Sequence, residues 1–424
     1  MKWVYLLGYL AMPAAFVVHY WLGRETGAGR RAWEPTATFI LAGLSIVPLA
    51  RLMGQATEHL AVRTGPTWGG LLNATFGNAA ELIIGIVAVS RGLVGVAKAS
   101  LAGSILGNLL LVAGAAMLAG GWKRERQMFS KAGAETNGGL LTVAVSAMLL
   151  PAIFHFSFLG RADHLVQREQ GLSIGTSVVL LIVYGLGLIF TLSANRPVFT
   201  PAPQLTDEDP AGLSGVAGKW TVRKSMIVLF LASALVAVFS ELLVGSVKQA
   251  AESLHWNYVF VGVILVAIIG NAAEHSTAVV LAVRNDMDTA MTIAFQSSLQ
   301  IALFVTPILV LLSWAFTAGG MHEARRMDMI FTPLEVAGVF LSVVIVVTIS
   351  RNGESNWFEG VLLLAVYAIL GITFFYIPAG DSDGYDDGVA PDVPRRVRDD
   401  RLDGRVSFEG LSHAASRERT GTPG

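Results

Sequence analysis

Long uncharged apolar runs alternate along this chain with short patches of Arg, Lys, Asp and Glu, the pattern of membrane spans joined by loops. A bilayer core of about 30 Å takes roughly 20 apolar residues per helix. Eleven segments meet or approach this, near 4–22, 35–62, 67–90, 96–120, 137–157, 172–194, 225–248, 257–283, 289–317, 329–350 and 356–377. None shows the two-residue alternation of a membrane barrel, so the predicted fold class is an all-α membrane protein of about eleven transmembrane helices. The first run lacks a charged leader of any length and a convincing small-residue cleavage site, and reads as a retained helix within residues 1–32.

The polar pattern divides the rest. Residues 195–222 hold Pro197, Pro201, Pro203, Pro210 and the acidic run Asp207-Glu208-Asp209, and read as a linker between halves at 33–194 and 223–377. Residues 378–424 are rich in Asp, Arg, Gly and Ser with almost no apolar content, which predicts a disordered tail.

Composition narrows the function classes. The 424 residues are 53% hydrophobic and 14% charged, with a mean hydropathy of +0.59, which argues strongly against a soluble enzyme. A net charge of −1 gives no basic excess for nucleic acid, and the absence of cysteine excludes disulfides and thiolate metal sites.

The halves repeat each other. Gly77-Asn78-Ala79-Ala80-Glu81 recurs as Gly270-Asn271-Ala272-Ala273-Glu274, and in both halves a serine, Ser104 or Ser297, follows the glutamate by 23 residues. Five spans per half is an odd number, so the second copy enters the membrane from the opposite side. The expected fold is therefore one N-terminal helix plus two inverted five-helix repeats, with equivalent residues meeting near the midplane.

An ionisable group in the hydrocarbon region costs about 2.5 to 3.5 kcal/mol on insertion scales, so an intramembrane glutamate is a functional candidate by default. Four qualify: Glu81 and Glu274 in the repeated motif, and Glu58 and Glu241, which each precede it in its half and are read as a second equivalent pair. Asn78 with Glu81, and Asn271 with Glu274, are three residues apart and share a helical face, and Ser297 with Gln300 repeats that spacing. Together they offer the carboxylate, amide and hydroxyl oxygens that a hard cation such as Ca2+ collects in sets of six to eight. Gly77 and Gly270 are expected to weaken their helices and turn backbone carbonyls toward the site.

Burial and a neighbouring carboxylate both favour a neutral acid, so protons and cation compete for Glu81 and Glu274, and no resident cofactor is called for. His275 follows Glu274 and is assigned to proton coupling, with ligation or a simple interhelical hydrogen bond as its alternatives. For Ser104, Ser297 and Gln300 the alternative is interhelical glue. Glu335 and Glu359 lie near the starts of the last two spans and are read as helix-N-terminal groups.

These residues resemble the Ca2+/H+ antiporter (CAX) family of the cation/Ca2+ exchanger superfamily, over residues 36 to about 377. The similarity is carried by Ala56-Thr57-Glu58, by the stretch from Arg63-Thr64-Gly65-Pro66-Thr67 through Gly69-Gly70-Leu71-Leu72-Asn73-Ala74-Thr75-Phe76 into the first motif, and by Gly270 to His275. The resemblance implies an eleven-helix fold with Glu81 and Glu274 as the Ca2+ and H+ carriers. It implies cavity-lining places for Asn78, Asn271, Glu58, Glu241, Ser104, Ser297 and Gln300. It also implies a multi-pass location in a prokaryotic cell membrane, or a vacuolar membrane in a eukaryote, with the N-terminus in the cytoplasm. One departure is Gly107, where the family's first-half counterpart of Gln300 is a serine, so one ligand or hydrogen bond is expected to be missing there.

Three other functions compete. Na+/Ca2+ exchange uses the same fold, and transport of other cations is open. A passive cation channel would show flux without proton coupling. An intramembrane hydrolase lacks support: there is no His-Glu-x-x-His string, and Gly212-Leu213-Ser214-Gly215 falls in the polar linker rather than in a span.

Overall fold

A computed structural model describes residues 2–22, 33–159, 164–194 and 220–378, so the tail and nearly all of the linker, with its acidic run, lie outside the described residues. The N-terminal helix α1 (Lys2–Phe16) widens into a π-helical segment at Val17–Leu22, and the first half then opens with α2 (Glu34–Phe76) and α3 (Ala79–Ser90). Next comes a single rod made of α4 (Val94–Leu106), a π-helical segment (Gly107–Val112) and α5 (Ala113–Gly121), and then α6 (Lys131–Phe158) and α7 (Leu165–Ala194). The second half opens with α8 (Val222–Leu254). A second rod joins α9 (Tyr258–Phe260), a π segment (Val261–Val266) and α10 (Ala267–Val283); a third joins α11 (Met287–Gln300), a π segment (Ile301–Val305) and α12 (Thr306–Ala318). The half closes with α13 (Pro333–Ser350) and α14 (Trp357–Phe375). Among the described residues, nine helices are long and apolar enough to cross a bilayer. The bundle is the eleven-helix, inverted-repeat membrane fold that the hydropathy pattern predicts.

The expected second and third spans differ in where the chain breaks. Instead of a loop near 62–67, α2 stays helical through Phe76 and the interruption falls at Gly77-Asn78. Residues 64–76 carry no charged side chain, so a helix that satisfies its own amides is the cheaper course there in a membrane. The second half departs in the other direction: α10 runs unbroken through Gly270, and its irregularity lies earlier, in the π segment.

Equivalent elements pack on each other across the halves. α2 lies along α8, and α6 along α13, as a pseudo-two-fold axis requires of elements beside it. The rod Val94–Gly121 is the most enclosed, with 83% of its apolar window buried against 17% for α14, so it forms the centre of the bundle. Large apolar side chains such as Leu7, Leu186, Ile189, Phe230 and Ile369 point outward. In water such a surface would associate; facing lipid it is the expected exterior. The interior is instead rich in alanine, with Ala42, Ala56, Ala88, Ala99, Ala102, Ala278 and Ala294 all buried, because small residues let helices approach where lipid supplies no hydrophobic drive.

The closest approach joins the two halves. Gly103 of α4 faces the backbone of Val263, where a Cβ would overlap main-chain atoms, and a Cβ on Gly262 would come 2.5 Å from that of Ala99. Polar ties lie at the ends of the bundle. Buried Lys98 holds Asp328 at 2.5 Å and the carbonyl of Ile330 at 2.9 Å, fixing the segment between α12 and α13. At the opposite end Gln127–Met128 pairs antiparallel with Glu354–Ser355. Glu335 and Glu359 serve as the reciprocal acids of capping boxes with Thr332 and Asn356, the helix-N-terminal role read from their positions.

The glycine contact gives a stability test. Gly103→Leu forces α4 off the 261–266 segment and is expected to cost about 1–3 kcal/mol or more, lowering the thermal midpoint in detergent. Gly139→Ala, at a glycine with open space around it, should leave that midpoint unchanged.

Candidate functional site

The two copies of the motif meet where α3 and α10 face the central rods. Asn78 occupies the N-cap position of α3 but makes no capping bond with its side chain. Both ends of its amide cross instead to the other half: Nδ2 donates to Oε1 of Gln300 at 2.7 Å, and Oδ1 accepts from Oγ of Ser297 at 2.8 Å. Asn271 does the reverse from α10, donating from Nδ2 to Oγ of Ser104 at 2.8 Å and to the carbonyl of Ala267 at 2.9 Å. Each asparagine therefore grips the serine of the opposite repeat. All five side chains are buried, at 1–4% exposure.

The carboxylates sit within this frame. Glu81 lies in the first turn of α3, where the free amides of a helix start favour negative charge. Its carboxylate rests against Gly270, so closely that a Cβ there would be 3.3 Å from Oε1. Gly270 thus serves close approach rather than a helix break. Glu274 is hydrogen-bonded to Ser297 and lies near enough to Glu81 for the two to interact electrostatically. Its Oε2 is buried and accepts no hydrogen bond. The ring of His275 faces Gly107, with Cε1 3.8 Å and Nε2 3.9 Å from where a Cβ on that glycine would stand, and its buried Nε2 has no hydrogen-bond partner.

Asn108 joins the site although no motif in the sequence singles it out. It lies in the π segment after α4, 1% exposed, and its Nδ2 donates to Oγ of Ser297 at 2.9 Å and to Oδ1 of Asn271 at 3.4 Å. The available signal was an asparagine four residues past Ser104 inside an otherwise apolar span.

Glu58 and Glu241 are not brought into this cluster as a matched pair. Their separations from the motif glutamates differ, 23 residues for Glu58 and 33 for Glu241 (81 − 58 and 274 − 241). Glu241, on α8, forms an ion pair with Arg91, which also reaches Glu323 at 3.1 Å. Arg91 caps the far end of α3, about 15 Å along the helix from Glu81 at 1.5 Å per residue. Glu58 is half-buried on α2 beside His59, which stacks on Trp220 with ring centroids 4.6 Å apart.

What the arrangement offers chemically is oxygen. Among the described residues no three His, Cys, Asp or Glu side chains form a metal-holding group. The donor set is two carboxylates with amide and hydroxyl oxygens, which suits a hard cation held loosely enough to leave.

An inverted-repeat helical bundle with two carboxylates meeting at the repeat interface is the architecture of a secondary transporter. The chain belongs to the sodium/calcium exchanger protein family, which it matches over residues 34–193 and 224–376. It is 42% identical over 386 residues to a Ca2+/H+ antiporter of Synechocystis sp., spanning 88% of this chain and 98% of that one. It is 43% identical over 348 residues to the Ca2+/H+ antiporter ChaA of Bacillus subtilis, spanning 81% and 93%. The solved structure of native YfkE matches with a TM-score of 0.71 at 37% identity, over 88% of this chain and all of that one. The resemblance read from the motifs is borne out.

The Gln300 bond can be tested by itself. Gln300→Leu keeps the bulk but strands the buried Nδ2 of Asn78, a loss of about 1–3 kcal/mol. We expect Ca2+ binding in detergent, measured by calorimetry, to weaken roughly tenfold while the protein stays monodisperse.

Proposed function

We propose that the protein exchanges Ca2+ for H+ across a membrane by alternating access, with Glu81 and Glu274 as the groups that both ions share. The observation that carries this reading is the meeting of the two repeat-related glutamates, one from each half, inside a shell of amide and hydroxyl groups. The names of its relatives support the choice of ions.

The chemistry follows from the burial of a like-charged pair. Two ionised carboxylates side by side in a low-dielectric bundle repel each other and have lost their water, so the empty, charged site is the costly state. A divalent cation neutralises both, and so do protons. The site is therefore stable when loaded with either cargo and unstable when bare, which forbids the bundle from changing its exposure empty. Ser297 and the asparagines hold the carboxylates in register, and His275 lines the same site beside Glu274, where it takes part in proton exchange. Ca2+ and H+ are cargo, and no resident cofactor is needed. Glu58, half-buried on α2, and Glu241, on its ion pair with Arg91, line the approaches rather than the centre.

The pentad Gly-Asn-Ala-Ala-Glu, in one copy per half, supports functional units at 33–194 and 223–377 joined by the linker. The bacterial relatives support the cell membrane as the location, and the vacuolar relatives of yeast and rice support a vacuolar membrane in a eukaryote.

Glu81→Gln and Glu274→Gln each keep the shape and remove the charge. We expect both to abolish Ca2+ uptake into proteoliposomes, by at least about 100-fold if one of two ionic ligands is worth about 3 kcal/mol, with the folded protein still recovered from the membrane. Uptake near the unsubstituted rate in either variant would exclude the two-carboxylate mechanism.

Proton competition sets the sign of the pH dependence. Protons must leave before Ca2+ binds, so apparent Ca2+ affinity should fall as the pH is lowered, and binding should acidify an unbuffered solution. Vesicles acidic inside should accumulate Ca2+ without Na+, and an ionophore that collapses the proton gradient should stop them. Uptake that requires Na+, or that ignores the proton gradient, would replace this reading with sodium exchange or a channel.

A further inference from the structure

The repeat register that relates Glu81 to Glu274 also relates the ends of their helices, at the same offset of 193 residues (274 − 81, 284 − 91, 285 − 92). Arg91 and Arg284 close α3 and α10, and each is followed by a residue in the left-handed region, Gly92 at φ 72° and Asn285 at φ 69°. Each helix end then meets a connecting segment of the opposite half. For α3 it is the segment between α12 and α13: a Cβ on Gly92 would stand 2.5 Å from the carbonyl oxygen of Glu323. For α10 it is the segment between α5 and α6, whose Gln127 donates to the carbonyl of Ala282. The pseudo-two-fold axis thus sets equivalent closures at the two ends of the bundle. They are built from different chemistry.

One closure is made through neutral acceptors. Gln127 is 1% exposed, and its Nε2 donates to the carbonyl of Ala282 at 2.9 Å and to Oδ1 of Asn285 at 3.3 Å. Arg124 adds a bond to the carbonyl of Val283 at 3.1 Å. The other closure is made by charge on charge. Arg91 pairs with Glu241 of α8 and with Glu323 at 3.1 Å, and the three side chains are 48%, 39% and 66% exposed. Charged groups so exposed stand in water, because lipid would penalise them. The segment that carries Glu323 is otherwise pinned. Lys98 of α4 holds Asp328 and the carbonyl of Ile330, Ser313 of α12 accepts from the amide of Met327, and Ser173 of α7 accepts from the amide of Met329. Breaking the contact at Arg91 therefore frees the end of α3, with α8 beside it, from a platform that stays in place.

We propose that Arg91, Glu241 and Glu323 form an ionic gate at the end of the bundle toward which α3 runs, loosened by cations in the water on that face, cargo included. Arg91 acts as a tethered cation held between two carboxylates. Exposed ion pairs are individually weak and are screened by salt, as a contact that must break in every transport cycle requires. A Ca2+ ion competes with the guanidinium for the same two carboxylates, so cargo helps to open the face at which it arrives. The Gln127 closure offers cations nothing to compete for, because its acceptors are uncharged and Gln127 is buried. The two faces of one pseudo-symmetric molecule thereby answer differently to the ions around them.

The proposal rests on the reading of the protein as an alternating-access exchanger, and its test measures opening without measuring transport. The chain has no cysteine, so introduced cysteines are the only labelled sites. Nitroxides on Ser253→Cys and His322→Cys, both exposed and at the Arg91 end, report that end; nitroxides on Lys123→Cys and Val283→Cys report the Gln127 end. Distances are measured by double electron–electron resonance on the full-length protein in detergent without Ca2+, at low salt and in about 1 M KCl. At low salt, Arg91→Gln is expected to raise the longer-distance fraction of the 253/322 pair about fivefold, the effect of two exposed ion pairs. Concentrated KCl should do the same to the unsubstituted protein and add little in Arg91→Gln, and the 123/283 pair should not lengthen in either. Unchanged 253/322 distances in Arg91→Gln, or an undiminished salt response in that variant, overturns the gate. In Glu81→Gln, which lacks one central carboxylate, Ca2+ at constant ionic strength should still lengthen the 253/322 distance; no response there overturns release by cargo. Should Arg91→Gln fail to fold, Glu323→Gln removes one of the two pairs, with about a twofold rise expected and no rise overturning the proposal. Failure of proton-driven uptake would count against H+ exchange and leave these distances to decide the gate, while failure of the gate would leave the exchange reading standing.

Discussion

Everything in this molecule is arranged around the repulsion between two carboxylates that have been taken out of water. Glu81 and Glu274 come from opposite halves of the chain and meet beside the central rods, Glu81 buried and Glu274 half-buried, where little solvent screens them. A bundle that merely packed well would exclude such a pair. This one surrounds it with buried asparagine, serine and glutamine side chains, and three of their hydrogen bonds, Asn78 to Gln300, Ser297 to Asn78 and Asn271 to Ser104, cross between the halves. The polar shell belongs to neither half alone, and the site exists only when the two are docked.

That requirement accounts for several features that look like flaws in helical regularity. The break at Gly77-Asn78 frees an asparagine from capping duty so that it can bond across the interface. The π segments after Leu106 and after Gln300 fall where the central rods pass the site, and a third precedes Ala267 on the way to the second motif. Wider turns shift which residues face inward and leave backbone groups less tightly committed, an irregularity tolerated in a membrane only where protein or water can answer it. The outer helices, α7 and α14, carry none of these irregularities.

The sequence made the spans, the repeat and the central glutamates legible, because each leaves a local mark: a run of about twenty apolar residues, an identical pentapeptide, a charge where charge is expensive. It was less informative wherever the answer depended on a partner far along the chain. Glu241 looked like a mate for Glu58 because both precede the motif, but its ion pair with Arg91 is made across 150 residues and no spacing rule reports it. Asn108 leaves no mark in the sequence, because an asparagine in an apolar span has no periodic signature and its partners lie 163 and 189 residues away. The sequence around Gly270 suggests a helix breaker like Gly77, whereas its missing side chain makes room for a carboxylate from the other half. Hydropathy likewise reports where apolar residues are and not where a helix ends, which is why the continuity of α2 through Phe76 became visible only in three dimensions.

The contact between Gly103 and Val263 has a mechanical meaning. Helices that touch through interlocked side chains can slide past one another only by repacking each layer, and such a surface resists shear. Where two rods meet backbone to backbone, with no side chain between them, there is nothing to interlock and no room to translate. The remaining freedom is rotation about the point of contact. Such a crossing acts as a fulcrum: displacements vanish there and grow in proportion to distance along the rods, so a tilt of about 5° becomes about 1–2 Å at the ends of a 28-residue rod such as Val94–Gly121 while atoms beside the crossing hardly move. Ligands set close to a fulcrum keep their mutual distances while the two ends of the molecule exchange which one is open.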